Sequence, residues 1–322
     1  MDQASRLLKS EYGIISDSIF PVTGGFSTKA AYRVADLDGI HYFVKVYDKS
    51  LPTTRFFVER IDTYMPVLDW LSTSPALCGR ILTPIPAQTG AYKVEANADV
   101  YVVFLYIWGE VPDIQRMTRA QTVELAEILA HLHDIDKAAI PFETPDLAED
   151  ISLPFCDQLM GYLSERDAKY DVLDPLVSPH GNMLRTAIRE TLYLRDATRL
   201  EYSPLVLCHG DAHGNNVIQS KRLVLADWEG LRLAPAEADL FIHAWHPHGD
   251  TLLEAYAAAR NKYRINHELL RFYTLRRRIE DIWVDIQRLS QESPDESETA
   301  RLMGWIRQGV EEVQALFGRD SF

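Results

Sequence analysis

Apolar residues along this chain follow two different periods, and the change falls near residue 110. Before it, they alternate with polar residues or form short blocks bounded by Gly, Pro and Asp, the pattern of strands. This regime predicts strands at Ile14–Pro21, Ala31–Val34 and His41–Tyr47, then at 81–86, Ala91–Val94 and Tyr101–Trp108. Thr23–Thr28 and Asp36–Gly39 read as turns. Two helices interrupt the strands, an amphipathic one at 2–12 ending near Gly13, and Thr53–Ser72. In the latter, Phe57, Ile61, Tyr64, Leu68 and Leu71 share a face. Pro66 lies inside that second helix and predicts a kink or break.

From Thr118 the apolar period becomes helical. Gln121–Asp136 places Leu125, Ile128, Leu129 and Leu132 on one face, with Thr118 as N-cap. An irregular, acid-rich helical segment is expected at 147–175, and Ser178–Asn182 reads as a helix-linking turn. Helices are expected after Leu233, then at 251–264, 267–290 and 298–317, with a polar loop at 291–299. One stretch departs from this regime. Leu205–Ile218, followed by Leu223–Glu229, holds short Leu/Val runs on either side of a polar loop, which reads as strand, loop, strand in a hairpin. The apolar strand ending at Trp108 runs into Gly109-Glu110-Val111-Pro112, which looks like an interlobe hinge. The expected architecture is α+β. A β-rich lobe with one main helix spans 1–107, and a larger helical lobe spans 108–322.

Composition narrows the partners. The 322 residues carry 33 basic and 47 acidic side chains, a formal charge of -14. That opposes a nucleic-acid or anionic-membrane surface and suits a cationic ligand, although acidity also serves plain solubility. Cys78, Cys156 and Cys208 are widely spaced and odd in number, so no disulfide framework is implied. The N-terminus lacks a secretory pattern and no apolar run approaches a membrane span. A cytoplasmic protein, monomeric or homodimeric, is expected.

The chemistry concentrates in the polar loop. Asp211 and Asn216 stand five positions apart, and Asp227 lies just beyond the next strand. Two carboxylates and an amide oxygen are hard ligands of the kind Mg²⁺ takes together with substrate phosphates. The spacing His-x-Asp-x-x-x-x-Asn, then Asp, is that of kinase-type catalytic and metal loops. Upstream, Lys45 interrupts an apolar strand, where an unpaired ammonium is costly. It reads as a phosphate-binding lysine, to be paired by Glu59 or Asp62 of the next helix, with Glu59 preferred for reach. Gly24 and Gly25, with Ser27 and Thr28, could cover phosphates; taken alone, that piece is more simply a plain hairpin turn. By the hinge reading, Phe104 lies behind an adenine, the backbone of Leu105–Ile107 supplies its hydrogen bonds, and Trp108 flanks it. His243, His246 and His248 crowd together, but Pro247 breaks the helical spacing that a zinc site would need.

Val206–Val217 and Leu225–Glu229 resemble the catalytic and metal-binding signatures of the aminoglycoside phosphotransferase family, which has a protein-kinase-like fold. The resemblance extends to Gly24-Gly25, Lys45, the hinge, Leu129–His133 and Ala234-Pro235 with Asp239-Leu240. The segment from Tyr273 to Trp283 is most similar to spectinomycin phosphotransferases. It implies phosphoryl transfer from ATP, or GTP, to a hydroxyl of a small, cationic acceptor, with Mg²⁺ as cofactor. Asp211 would orient the hydroxyl proton, Asn216 and Asp227 would hold Mg²⁺, and Lys45 would bind the α/β-phosphates. His209 would brace the loop, with Asp239 anchoring it from beneath and His213 lining the site. Acceptor contacts are expected from Glu229, Asp167, Trp245, Glu280 and Asp281, and by stacking from Trp283 and Tyr162. Each of these aromatic residues is more often core than contact. The alternatives are a kinase for a metabolite such as choline, homoserine or a sugar, and a nucleotide-binding pseudokinase. Gly210 stands where protein kinases carry Arg, and no activation segment is evident.

Overall fold

The computed structural model describes the chain except residues 1, 24, 26–27, 113, 142–146, 165–172, 199, 201–202, 293 and 319–322. It divides into two compact units, Met1–Ala148 with Val206–Tyr263, and Glu149–Leu205 with Arg264–Phe322.

The first unit begins with α1 (Asp2–Leu7), continued by a π-helical turn that Gly13 ends in the left-handed conformation. β1 (Ser16–Val22), β2 (Ala30–Asp36) and β3 (His41–Asp48) follow as an antiparallel meander. α2 (Pro52–Ser72) comes next, then β4 (Pro84–Ile85), β5 (Val94–Ala96) and β6 (Asp99–Leu105). The sheet order is β1-β2-β3-β6-β4, with β5 also on β6. Side chains alternate across a strand. Val44 and Val46 of β3 therefore pack with Val34, Tyr101 and Val103 against Leu7, Leu8 and Tyr12 of the N-terminal helix. His41, Phe43, Lys45 and Tyr47 point to the other face. The α2 stripe of Val58, Ile61, Met65 and Leu68 is buried, and the helix continues through Pro66, where a kink or a break was expected. The expected strand at 81–86 shrinks to β4, because Pro84 and Pro86 leave that run few ladder donors.

α3 (Arg119–His133) opens with a full capping box, Thr118 and Gln121 exchanging side-chain and backbone bonds. The chain then supplies α4 (Pro154–Ser164), α5 (Asp174–Val177) and α6 (Gly181–Ala197) to the second unit. The long helical segment expected at 147–175 is only α4 and the start of α5 among the described residues.

Returning to the first unit, β7 (Val206–Cys208), β8 (Val217–Gln219), β9 (Leu223–Leu225) and β10 (Arg232–Ala234) form two small antiparallel pairs. β7 pairs with β10, and β8 pairs with β9. The hairpin expected here is thus formed by Val217–Gln219 and Leu223–Leu225, whereas Val206–Cys208, on the other side of the polar loop, pairs with β10. The loop is closed instead by a partner further along the chain. α7 (Glu237–Leu240) and α8 (Gly249–Ala259) complete this unit.

The second unit is helical, with α9 (His267–Gln291) packed by α10 (Glu296–Gly318), α6 and α4. Leu302, Ile306, Val310 and Val313 of α10 form its buried stripe. Glu149 is buried in this unit and takes hydrogen bonds from Arg276 and from the Tyr273 hydroxyl, the latter at 2.5 Å. Asp285 of α9 is also buried, and burial, with Asp281 nearby, pushes its carboxyl up to about 7.

Candidate active site

Strand alternation sends Lys45 to the face opposite the N-terminal helix, where it is 5% exposed. An ammonium survives there only with partners. It donates to Asp227, and to Glu229 Oε1 at 2.9 Å. Two residues along the same face, the Tyr47 hydroxyl also donates to Glu229. Burial opposes the lysine's charge, but the two carboxylates outweigh it and hold its pKa above the usual range. One cation cannot satisfy both acids. Burial and the neighbouring Asp227 push Glu229 up, while Lys45 overrides the burial penalty at Asp227 and holds that carboxyl low.

Asp227 sits at φ 65°, ψ 63°, a left-handed conformation that Asp tolerates better than most residues. It turns the chain directly after β9. Across the loop, Gly210 has φ 83°, and a Cβ there would lie 2.5 Å from the Gly230 carbonyl oxygen. Only glycine fits, so the departure from the Arg of protein kinases has a steric cause. Arg232 donates to the Gly210 carbonyl at 3.2 Å. The Asn216 amide donates to the Asp211 carbonyl (2.8 Å) and carboxylate (2.9 Å), which leaves its Oδ1 as the atom able to ligate. His213 Nε2 is 3.4 Å from the same carboxylate. His209 is buried, donates from Nε2 to the Ala226 carbonyl at 2.8 Å and accepts the Asp211 N–H at Nδ1. Burial lowers its pKa, so it is a neutral brace.

The glycine turn reaches the same place. A Cβ built on Gly25 would lie 3.1 Å from Asp227 Oδ2 and 4.0 Å from Lys45 Nζ. Glycine therefore lets this backbone approach the lysine–aspartate pair. Thr28 N–H closes the turn onto the Gly25 carbonyl at 3.1 Å, and Thr28 Oγ1 is buried with no hydrogen-bond partner among the described residues. An orphaned hydroxyl, a lysine and a close-lying backbone suit phosphate oxygens; Asp211, Asn216 Oδ1 and Asp227 are the all-oxygen set that suits Mg²⁺. The residues present fit both groups.

Some expected site residues stand elsewhere. Glu59 does not pair with Lys45. It is exposed, because Val58 and Ile61 take the inward phase of α2. Glu229, expected among the acceptor contacts, lies against Lys45 instead. Phe104 is buried, directly opposite Phe43 on β3. The Leu105 N–H is committed to the Thr83 carbonyl and the Tyr106 N–H to that of His41. Trp245 packs edge-on against Phe241, with ring centroids 5.7 Å apart. Glu280, Asp281, Tyr162 and Trp283 belong to the second unit. There Asp281 is paired with Arg277 and Arg278, and the Trp283 indole donates to Gln158. Gly24, Ser27 and Asp167 lie outside the described residues. His243 Nδ1 meets its own turn at Leu240, and His246 is buried against Met117.

Arg33 escaped the sequence reading. Its guanidinium lies 4.7 Å from the Phe20 ring centroid, 4.8 Å from Trp108 and 5.8 Å from Tyr106. Register places Phe20, Arg33, Phe43 and Phe104 in one row across the sheet, on the face that carries Lys45.

Residues 18–273 match the model of the phosphotransferase enzyme family. No curated protein matches the sequence. Among solved structures, spectinomycin phosphotransferase bound to ADP and spectinomycin is similar at 18% identity, TM-score 0.71, covering 98% of this chain and 97% of that one. A thermostable mutant of an aminoglycoside phosphotransferase, in ternary complex with AMP-PNP and hygromycin B, is similar at 15% identity, TM-score 0.59, with 97% and 99% covered. The macrolide 2'-phosphotransferase of Brachybacterium faecium is similar at 14% identity, TM-score 0.56, with 95% and 98% covered. At these identities the likeness is one of fold.

Proposed function

The chain belongs to the phosphotransferase enzyme family, and from that premise we propose that it moves the γ-phosphoryl group of ATP to a hydroxyl of a small cationic antibiotic. An aminoglycoside or aminocyclitol of the spectinomycin type is the preferred acceptor. The observation that carries the reading is the meeting of Lys45 and Asp227 beneath Gly25, beside Asp211 and Asn216. A phosphate-binding lysine, a metal-type carboxylate and a glycine turn have no shared use in a bland core.

In this reading Lys45 binds phosphate oxygens of the nucleotide, held in place by Glu229. The Gly25 backbone and the Thr28 hydroxyl add donors above them. Asn216 and Asp227 would hold Mg²⁺, which neutralises charge that develops on the phosphates. Asp211 orients the acceptor hydroxyl and accepts its proton, with His213 beside it. Catalysis of this kind is mostly positioning and electrostatics. Among the described residues, no helix is long and apolar enough to cross a membrane. The lobe boundary near residue 107 and a cytoplasmic location belong to the same proposal.

The substrate is tested directly. Purified protein with ATP or GTP and Mg²⁺ is offered spectinomycin, other aminocyclitols, kanamycin, choline and homoserine, and phosphorylated product is followed by mass spectrometry. Turnover of an aminocyclitol or aminoglycoside supports the reading. Turnover of choline or homoserine alone would replace it with a metabolite kinase, and nucleotide binding without turnover of any acceptor would point to a pseudokinase.

A further inference from the structure

Beneath the catalytic loop, four side chains form a single hydrogen-bonded line within the first unit. Arg260 donates to the Tyr256 oxygen at 2.8 Å. The Tyr256 hydroxyl lies 2.7 Å from His133 Nδ1, and His133 Nε2 lies 2.9 Å from Asp239 Oδ2. Asp239 then accepts the N–H of His209 at 2.8 Å and that of Gly210 at 2.6 Å, one on each carboxylate oxygen. The outer end is fixed too, since Arg260 also bonds Asp134 at 2.7 Å. His133, Tyr256 and Asp239 are 2%, 0% and 0% exposed, so water does not compete for these bonds.

The direction of every bond follows from the arginine. A guanidinium has no acceptor and must donate, so the Tyr256 oxygen accepts from it. The one Tyr256 hydrogen is then left for His133 Nδ1. That places the imidazole proton on Nε2, aimed at Asp239. Asp239 ends with three donors, two of them backbone amides of the catalytic loop. The loop needs such fixing, because Gly210 sits at φ 83° with no side chain to restrict it. A glycine peptide has several accessible orientations, and the one adopted sets where the next residue, Asp211, points.

We propose that Arg260, Tyr256 and His133 are positioning residues that act through Asp239 to fix the His209–Gly210 peptides and so the aim of Asp211. The inference rests on the phosphotransferase reading of Asp211. His133, Cys208 and Asp239 also place ligand atoms within 4.8 Å of one another, a spacing that a metal site would share. The hydrogen-bonded line accounts for that cluster, and Cys208 Sγ faces the Ala234 and Pro235 carbonyls.

The test compares Tyr256→Phe, Arg260→Met, His133→Gln and His133→Leu with the parent, using ATP and spectinomycin, or ATP with water alone as acceptor. Removing one buried hydrogen bond of the line should cut kcat about tenfold while KM for ATP changes less than about twofold. Amide hydrogen exchange of the 206–218 peptide should quicken in Tyr256→Phe without change in the β3 peptide. His133→Gln, which keeps a donor for Asp239, should retain more activity than His133→Leu at equal thermal stability. Unaltered kcat and exchange in Tyr256→Phe would overturn the proposal, as would equal losses in the two His133 variants that follow stability alone. If Tyr256→Phe fails to fold, the partly exposed Arg260→Met reads the same loop. A parent that transfers phosphate to no acceptor would defeat the proposed function, and the exchange comparison would still judge the line.

Discussion

Lys45 Nζ lies 2.9 Å from Glu229 Oε1, so the lysine on the sheet is paired by the acids that follow β9 and by no acid of α2. Glu59 faces solvent, and Tyr64 holds the inward position one turn further along. Glu229→Ala should therefore raise KM for ATP and lower kcat/KM at least about tenfold, because it takes a buried hydrogen-bond acceptor from the Lys45 ammonium. Glu59→Gln should leave both within about twofold. Steady-state kinetics at saturating acceptor decide between them, and the opposite ranking would mean that α2 rotates in when nucleotide binds.

Asp211 and Asp227 are both carboxylates, but their partners differ, and so should their variants. Asp211→Ala should cut kcat by about two orders of magnitude or more and leave nucleotide affinity intact, because its proton-accepting role is realised in the transition state. Asp227→Ala should weaken binding of ATP only when Mg²⁺ is present. Calorimetric titration of ADP with and without Mg²⁺ separates the two. If Asp211→Ala turned over normally, its assignment would be lost.

The difference between these residues and Glu229 also shows what a sequence can carry. Asp211, Asn216 and Asp227 are gathered by a short loop and two three-residue strands, so local spacing suffices to bring them together. Lys45 announces itself because an ammonium inside an apolar strand demands a partner. Which partner is a different question. Glu59 and Glu229 are chemically equivalent, and the choice is made by the rotational phase of α2 against the sheet, which a polar residue near the edge of the apolar stripe leaves open. The pairing of β7 with β10 and the Arg33 stack against Phe20 and Trp108 depend on non-local register in the same way. Asp285 was invisible for a simpler reason, as a charged residue on an amphipathic helix ordinarily faces water.

In the second unit, Arg276 and Glu149 are 8% and 4% exposed at their side chains, and the pair is completed by the Tyr273 hydroxyl. Removing one member leaves the other charge buried. Arg276→Met should cost about 3–5 kcal/mol of unfolding free energy. The paired change Arg276→Met with Glu149→Leu should recover much of it, since an apolar replacement of both leaves no orphan charge. Urea unfolding measures both, and an Arg276→Met loss below about 1 kcal/mol would show the pair to be solvated in practice.

Asp285 makes stability depend on pH in the unusual direction. Burial, with Asp281 nearby, pushes its carboxyl up to about 7 in the folded chain, whereas an unfolded aspartate releases its proton near 3.9. Between those values the folded state binds the extra proton. Stability from this group is therefore fully present at low pH, falls as pH rises through the window, and levels off above about 7. The slope approaches about 1.4 kcal/mol per pH unit at its steepest. Asp285→Asn removes the ionisation while keeping the shape, so the variant should match the parent near pH 4 and exceed it at pH 8. Urea midpoints for the two proteins at several pH values test this, because all other groups titrate alike and cancel in the difference. Parallel curves would mean that Asp285 is charged in the folded chain, held by Arg288 and Arg277, whose charges oppose the rise.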